Sequence, residues 1–362
     1  MKSIRSSRGF SLVELMVAAV ISIIASAVIF QVFSTAERQK RTTTGAADAQ
    51  TNGAIASYMI ERDVKMAGWG LVESSFAVCT SLFSYYDAND GTAAGPVNDL
   101  FASVSIADGG ANGSDSVTIQ YYDNPANQNF KFSVTTLRST MPQSSSELNV
   151  DSVYGCAENS LAIVRQGGQC TLMQITQVQG QALKLQHNPG QGAATYNPPV
   201  NYQNANSWPA YTTGATLQCF TQLFKRTYRI NANYQLELVD PVPAVAAQLA
   251  PEIVAMQAQY GITAGGGSQQ VNDWVDATGV WVSPLSTTDI ARIKAVRVAL
   301  VARSAQADKP DTSGNCATTT STDDWSSWAE FGAVEALPDW QCYRYKVYET
   351  VIPLRNIIWS NM

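Results

Sequence analysis

The sequence predicts an α+β protein in which a long N-terminal helix is followed by a β-rich globular head. An apolar run extends from Phe10 to Phe33 and contains one charged residue, Glu14. No Gly or Pro occurs between Phe10 and Thr44, so nothing in this stretch breaks a helix. Beyond about residue 68, short runs with strand patterning alternate with polar loops rich in Gly, Asn, Ser, Thr and Pro.

The apolar run is long enough to cross a membrane. Its 24 residues would form a helix of about 36 Å. Helical character continues to about Ala67, and one face of this extension repeats at steps of three and four residues. We expect that face to pack on the head, and its members are Ile55, Tyr58, Met59, Arg62 and Met66. Gly45 and Gly53 weaken the middle of the helix, where it can bend or melt.

The head is predicted to be mostly β. The candidate strands are Val117–Asp123, Phe130–Leu137, Leu161–Arg165, Leu172–Val178, Ala182–Gln186, Gln218–Ile230, Gln235–Val239, Glu252–Tyr260, Ile293–Ser304 and Tyr343–Pro353. A hairpin turn is expected at Asn231–Tyr234. The long loops are Ser84–Asp115, Asn188–Pro209, Thr263–Val280 and Ala305–Trp325. These patterns divide the chain into 1–9, 10–67 and 68–362.

Composition argues against several functional classes. The net charge is -6, and the chain without residues 1–9 has 20 basic and 29 acidic side chains. This acidic balance disfavours a protein whose main function is to bind the phosphate backbone of nucleic acids. His187 is the only histidine, and no Cys-x-x-Cys pair occurs, so we predict no metal site and no cofactor. No nucleophilic, acid–base or nucleotide-binding motif appears, and we expect the chain not to be an enzyme.

The six cysteines suggest disulfide bonds. An even number of cysteines in an exported chain favours pairing, and six allow 15 connectivities. Sequence alone does not choose among these, but the shortest loops would pair Cys156 with Cys170 and Cys316 with Cys342. The candidates are Cys79, Cys156, Cys170, Cys219, Cys316 and Cys342.

Three interpretations compete for the N-terminus. The first is a secretory signal peptide cleaved after Ala25-Ser26-Ala27. The position of Glu14 at the front of the apolar run and the helical pattern beyond Ala27 oppose it. The second is a simple membrane anchor, although basic residues on both sides give it little orientation signal. The third is a prepilin.

The stretch Arg8–Leu15, with the sequence RGFSLVEL, resembles the prepilin motif of type IV pilins and type II secretion pseudopilins. The resemblance implies cleavage after Gly9 by a membrane prepilin peptidase and N-methylation of Phe10. Independently, a carboxylate inside an apolar helix costs about 2.5–3.5 kcal/mol on insertion scales, so Glu14 is expected to have a role. It would pair with the Phe10 amine of a neighbouring subunit displaced by one turn, or with its own Phe10 amine at the same spacing.

Four further stretches are similar to PilW-type minor pilins. They are Arg62–Gly70, Gln259–Ile262, Ala295–Ser304 and Tyr343–Asn356. The Asp-rich, calcium-like loop of many such chains is replaced here by Gly265-Gly266-Gly267, so no metal site is claimed.

The resemblance implies a structural subunit of a tip complex that primes pilus assembly. Its partners would be other minor pilins, the major pilin, the prepilin peptidase and, where present, a large tip adhesin; no nucleic acid is expected. Such a chain sits in the inner membrane with one pass, its head in the periplasm, and then moves to the pilus tip. The alternatives are a GspJ-type pseudopilin of type II secretion and a pilus-displayed adhesin or DNA-uptake subunit.

Overall fold

A computed structural model describes most of the chain. The described residues are 11–70, 79, 81–87, 94–97, 102–123, 134–145, 147–189, 195–220, 222–241, 244–265, 267–311 and 313–359. The predicted leader 1–9, the cleavage-site residues Gly9 and Phe10 and residues 130–133 of a predicted strand lie outside this set.

The architecture is a long helix followed by a sheet-rich region, as the sequence predicts. The helices are α1 (Leu12–Val64), α2 (Val200–Ala205), α3 (Thr287–Arg292), α4 (Gly332–Glu335) and α5 (Arg355–Trp359). The strands are β1 (Ser81–Phe83), β2 (Val104–Ala107), β3 (Ser116–Asp123), β4 (Val134–Thr136), β5 (Leu148–Asn149), β6 (Leu161–Gln166), β7 (Gln169–Gln174), β8 (Gln177–Gln179), β9 (Lys184–Gln186), β10 (Thr216–Phe220), β11 (Gln222–Ile230), β12 (Gln235–Pro241), β13 (Ala244–Pro251), β14 (Ile253–Ile262), β15 (Asp273–Val275), β16 (Ile293–Arg303) and β17 (Tyr345–Pro353).

The strands form two groups of sheets. The helix-side lobe contains the sheets β13-β12-β11-β3-β2 and β15-β14-β16-β17 together with the second half of α1. The distal lobe contains the sheets β1-β7-β6-β10-β4 and β5-β9-β8. Because β3 and β11 pair directly, nearly all of the distal lobe is inserted between two adjacent strands of the helix-side lobe. The rings of Tyr122 and Phe220, 4.1 Å apart, pack at the junction.

Most predicted strands are present, but two were drawn too long. The predicted strand Gln218–Ile230 is two strands, β10 and β11, which belong to different sheets. The predicted strand Leu172–Val178 is likewise divided between β7 and β8. The predicted loops at 84–115, 188–209 and 263–280 contain β2, α2 and β15, and β13 was not predicted.

The predicted packing face of α1 was wrong. Ile55, Tyr58 and Met66 are exposed, and the buried face is the neighbouring one, made of Ala49, Gly53, Ala56, Ile60 and Val64. The reason is close approach, since small residues let the helix backbone lie against the sheet. A Cβ on Gly53 would lie 2.1 Å from Cε2 of Tyr348, whose hydroxyl donates to the Gln50 carbonyl at 2.7 Å. The helix is continuous through Gly45 and Gly53, so these glycines serve packing.

Deleting residues 1–33 should leave the head folded and remove the need for detergent. Every described residue from 11 to 36 is exposed, so none of these side chains is packed in the core of the head. We expect amide hydrogen exchange in β14, β16 and β17 to match that of the full chain. A second truncation starting at Ile55, which removes Ala49 and Gly53 from the buried face of α1, is the control and should lose protection in β16 and β17. Aggregation of the first truncation would show that the apolar segment is needed for folding.

Candidate functional site: the N-terminal helix and its seat on the head

The start of α1 is closed by a reciprocal capping box. The Ser11 hydroxyl accepts a hydrogen bond from the Glu14 amide at 3.2 Å, and Oε2 of Glu14 accepts one from the Ser11 amide at 2.9 Å. This arrangement satisfies two backbone donors that would otherwise lack partners at a helix start. The Ser-x-x-Glu signature was present in the sequence but was not predicted as a cap. The Glu14 carboxylate therefore has a backbone partner within its own chain, while its predicted pairing with the Phe10 amine of a neighbour or of its own chain stays a prediction, because Phe10 lies outside the described residues.

The apolar segment that follows this cap is not packed against any of the described residues of the head. Large side chains from Leu12 to Phe33 are more than half exposed. Among the described residues, Leu12–Val64 is the helix that is long and apolar enough to span a membrane. So large an exposed apolar surface requires a lipid or protein environment.

The seat of the helix is the sheet β15-β14-β16-β17. In this sheet Gln259 lies opposite Arg297, and Arg297 lies opposite Val351 on the next strand. The three C-terminal stretches that resemble PilW-type proteins are thus neighbouring strands, and the fourth stretch, Arg62–Gly70, is the end of the helix that packs on them. Residues separated by almost 300 positions form one structural unit.

Asp63 fastens the end of α1 to β11, a strand of the other sheet of the helix-side lobe, β13-β12-β11-β3-β2. Its side chain is only 6% exposed, and its Oδ2 accepts a hydrogen bond from the Tyr228 hydroxyl at 2.7 Å. Arg62 and Arg226 place guanidinium nitrogens 2.7 and 3.4 Å from the same carboxylate. The hydrogen bond with Asp63 raises the pKa of Arg62, and burial next to this carboxylate raises the pKa of Tyr228. The phenol therefore stays protonated and donates.

Asn356 closes the C-terminal end of the helix. Its Nδ2 lies 3.4, 3.3 and 3.0 Å from the carbonyl oxygens of Lys65, Met66 and Ala67. These carbonyls belong to the turn that follows α1 and can be satisfied by a side-chain donor. Gly68 comes next with φ of +78°, and a Cβ there would lie 2.7 Å from Cδ1 of Ile357. Both the backbone conformation and the space favour glycine.

The opposite face of the seat carries a stacked arginine. The guanidinium carbon of Arg297 lies 4.9 Å from the ring centre of Trp274 and 4.3 Å from that of Trp328. The side-chain oxygen of Gln259 accepts a hydrogen bond from Nε of Arg297 at 2.8 Å. Desolvation by burial lowers the pKa of Arg297. A Cβ on Gly261 would lie 2.8 Å from Trp274, which explains the Tyr-Gly pair of this stretch. The arginine is fixed by stacking, which is a structural role.

The six cysteines form three disulfides, but only one of the two expected pairs is correct. The bonds are Cys79–Cys170, Cys156–Cys219 and Cys316–Cys342. The predicted pair Cys156–Cys170 is wrong because each of its members bonds a cysteine far away in the sequence. Two of the three bonds therefore lie in the distal lobe.

Two family models match parts of this chain that include the start of α1 and the sheet under the helix. Residues 211–356 match the family model of PilW, type IV pilus-assembly protein W, and residues 4–30 match the prokaryotic N-terminal methylation motif. The chain is a type IV pilus-related, pilin-like protein. Comparison with curated proteins and with solved structures gives no match.

The two matched regions cover the first part of α1 and the sheet on which its second half packs, while residues 31–64 of the helix lie outside both matches. The PilW match spans β10 to β17, which includes the sheet under α1, and the methylation motif spans the capping box and most of the apolar segment. Residues 71–210 of this pilin-like protein, which include β1 to β9, lie outside both matches. The sequence similarity therefore follows the helix-side lobe and not most of the distal lobe.

Proposed function

We propose that this pilin-like protein is a minor pilin, a non-enzymatic structural subunit of a tip complex that primes assembly of a type IV pilus. The observation that carries the proposal is the exposed apolar helix from Leu12 to Phe33, capped by Ser11 and Glu14 and fixed to a PilW-type seat. The apolar helix of such a subunit can contact lipid in the inner membrane before assembly and pack against the helices of neighbouring subunits afterwards. The head would face the periplasm before assembly and the exterior afterwards.

The defining experiment is a clean deletion with complementation. Loss of surface pili, with the level of the major pilin unchanged, is the expected result. A strain that keeps its pili but no longer secretes type II substrates would instead identify a GspJ-type pseudopilin. Normal piliation together with loss of adhesion or DNA uptake would identify a displayed binding subunit. The mature protein should begin at N-methylated Phe10, and a chain starting near Val28 would indicate ordinary signal-peptide cleavage.

Two substitutions of Glu14 distinguish its role in capping α1 from a role in docking to a neighbouring subunit. Glu14→Gln retains a side-chain oxygen for the Ser11 amide, so the cap should survive, but it removes the charge. Glu14→Ala removes both, and loss of a cap costs about 1 kcal/mol. If the carboxylate pairs with the Phe10 amine of a neighbour, both variants should reduce pilus number and recovery of partner pilins at equal protein levels.

The control is Ser11→Ala, which disrupts the cap but keeps the Glu14 charge, and it should assemble nearly as the wild type does. Wild-type piliation in Glu14→Gln together with a defect in Ser11→Ala would mean that only the cap matters. The docking role of Glu14 would then be wrong.

A further inference from the structure

Part of β13, in the β12–β13 hairpin, lies outside the core of the head, although Leu236 and Ala250 of the same hairpin are core residues. Residues 245 to 248 of β13 are all exposed, and Val245 is 55% exposed. Successive side chains of a strand point to opposite faces of its sheet. Exposure of four consecutive residues therefore means that this part of the strand is open to solvent on both faces.

The backbone of β13 is also open at its outer edge. The Asn231 amide donates to the Gln235 carbonyl, which makes these two residues a hydrogen-bonded pair between β11 and β12. Because such pairs alternate along antiparallel strands, the odd-numbered residues of β12 bond to β11, and the amide and carbonyl groups of its even-numbered residues face β13. Leu238 and Asp240 pair with Ala247 and Val245. The amide and carbonyl groups of the intervening positions, Ala246 and Gln248, consequently point away from the sheet. Among the residues that the structure describes, no hydrogen-bond partner is present for the outward backbone groups of these two positions.

The exposed part of this edge, residues 245 to 248, lacks the features that usually protect a free strand, since Pro251 and the β-bulge of this strand lie towards its other end. Soluble proteins place charges or Pro on long edge strands to prevent pairing with another chain. Within the described part of the chain, β13 and β17 are the long edge strands. The β17 edge carries Lys346 and Glu349, whereas β13 has no charged residue from Ala244 to Pro251.

The position of the edge indicates which molecule would cover it. β13 contacts α1, the helix whose apolar first half is proposed above to pack among the helices of other subunits. A neighbouring subunit packed against this helix would therefore bring its own head close to the β13 edge. An extended strand with free amide and carbonyl groups and small uncharged side chains is the chemistry that complements Ala246 and Gln248.

We infer that the edge of β13 pairs with a strand of a neighbouring pilin-like subunit, which extends the five-stranded sheet from one head into the next. This inference rests on the proposed function and adds the contact by which the heads recognise each other. It places the recognition surface on the PilW-matched lobe, away from the disulfide-bonded distal lobe.

The test uses the full chain in its own membrane. Ala246→Pro removes an amide that faces outward, so no hydrogen bond within the chain is lost. We expect recovery of co-assembled pilin-like subunits to fall about tenfold for one lost hydrogen bond with its strand distortion. Ala246→Ser keeps the amide and should behave as the wild type. Val351→Pro removes the corresponding outward amide of β17, at a residue that is 61% exposed, and should have no effect.

A photo-crosslinking benzophenone amino acid at position 246 identifies the occupant. The expected adduct joins this chain to another pilin-like subunit, and the same probe at position 351 should give none. An adduct between two copies of this chain, or an effect of Val351→Pro without one of Ala246→Pro, would overturn the inference. If deletion of the gene abolishes pili but Ala246→Pro assembles normally, the proposed function stands and the β13 contact is wrong. If deletion leaves pili intact, the proposed function itself fails.

Discussion

Replacing Cys79 and Cys170 together by alanine is expected to lower the free energy of unfolding of the distal lobe by about 4–5 kcal/mol. The bond joins residues separated by 91 positions, the longest loop of the three disulfides, and the entropy that a crosslink removes from the unfolded chain grows with loop length. Cys79 and Cys170 are 2% and 0% exposed, so lost packing adds to the effect. Because the free energy of unfolding of a typical domain is about 5–15 kcal/mol, a loss of this size would remove a large part of the stability of the lobe.

The loss should be local. β1 pairs only with β7 over three residues, and Leu82 lies opposite Cys170, so the bond fixes a very short edge strand. Hydrogen exchange should accelerate in β1, β6 and β7 and remain slow in β14, β16 and β17. The control pair Cys316→Ala and Cys342→Ala opens a loop of 26 positions and should leave exchange in the distal lobe unchanged. Faster exchange of β14, β16 and β17 in the Cys79/Cys170 variant would show that the two lobes unfold as one unit.

The sequence predicted the parts of the fold that local patterns encode. A long uninterrupted apolar run defines the first half of α1, and the β11–β12 hairpin follows from alternating residues around Asn231–Tyr234. The missed strands are short or weakly patterned. β2 has four residues, and five of the eight residues of β13 are Ala or Pro, which have low strand propensity. Such strands form because a neighbouring strand supplies hydrogen bonds, which no local pattern reveals.

The contacts that fix the site depend on the tertiary fold. A search for large apolar residues at helical spacing chose Tyr58 and Met59, but the closest approach is made where Gly53 and Ala56 leave room. The disulfide pairing failed for the same reason. Loop length favoured Cys156–Cys170, whereas the sheet places Cys170 beside Leu82 of β1, three residues from Cys79. Asp63 and Asn356 lie within the stretches similar to PilW-type proteins. Asn356 meets the carbonyls of residues 65 to 67 only in the folded chain. Tyr228 and Arg226, which contact Asp63, lie outside those stretches altogether.

Asp63→Ala is expected to loosen the end of α1 from β11 and to lower the free energy of unfolding by about 2–3 kcal/mol. The change removes the closer acceptor of the buried Tyr228 hydroxyl and leaves it only the Met59 carbonyl, 3.4 Å away, and a poorly satisfied buried donor costs about 1–3 kcal/mol. It also removes the carboxylate that holds Arg62 and Arg226. Asp63→Asn keeps an oxygen that can accept from Tyr228, so its loss should be smaller.

A matched control removes an acid from the same turn of the helix. Glu61 pairs with Lys65 through side chains that are both more than one third exposed, and an exposed pair of this kind contributes at most about 1 kcal/mol. Glu61→Ala should therefore remain close to the wild type in urea unfolding. Adding Tyr228→Phe to Asp63→Ala should cost little more, because the hydroxyl that it removes has already lost its closer acceptor.

Asp63→Ala also tests how far assembly depends on the attachment of α1 to β11. Cleavage after Gly9 involves the far end of the chain, so Asp63→Ala should be processed and methylated normally. The head, however, would no longer be held at a fixed angle to α1, and recovery of partner subunits should fall even though the apolar segment is intact. Normal processing with normal assembly at a measured loss of stability would show that the neighbouring helices alone position the subunit. Normal processing with lost assembly would show that the rigid connection through Asp63 and Tyr228 is what presents the head to its neighbours.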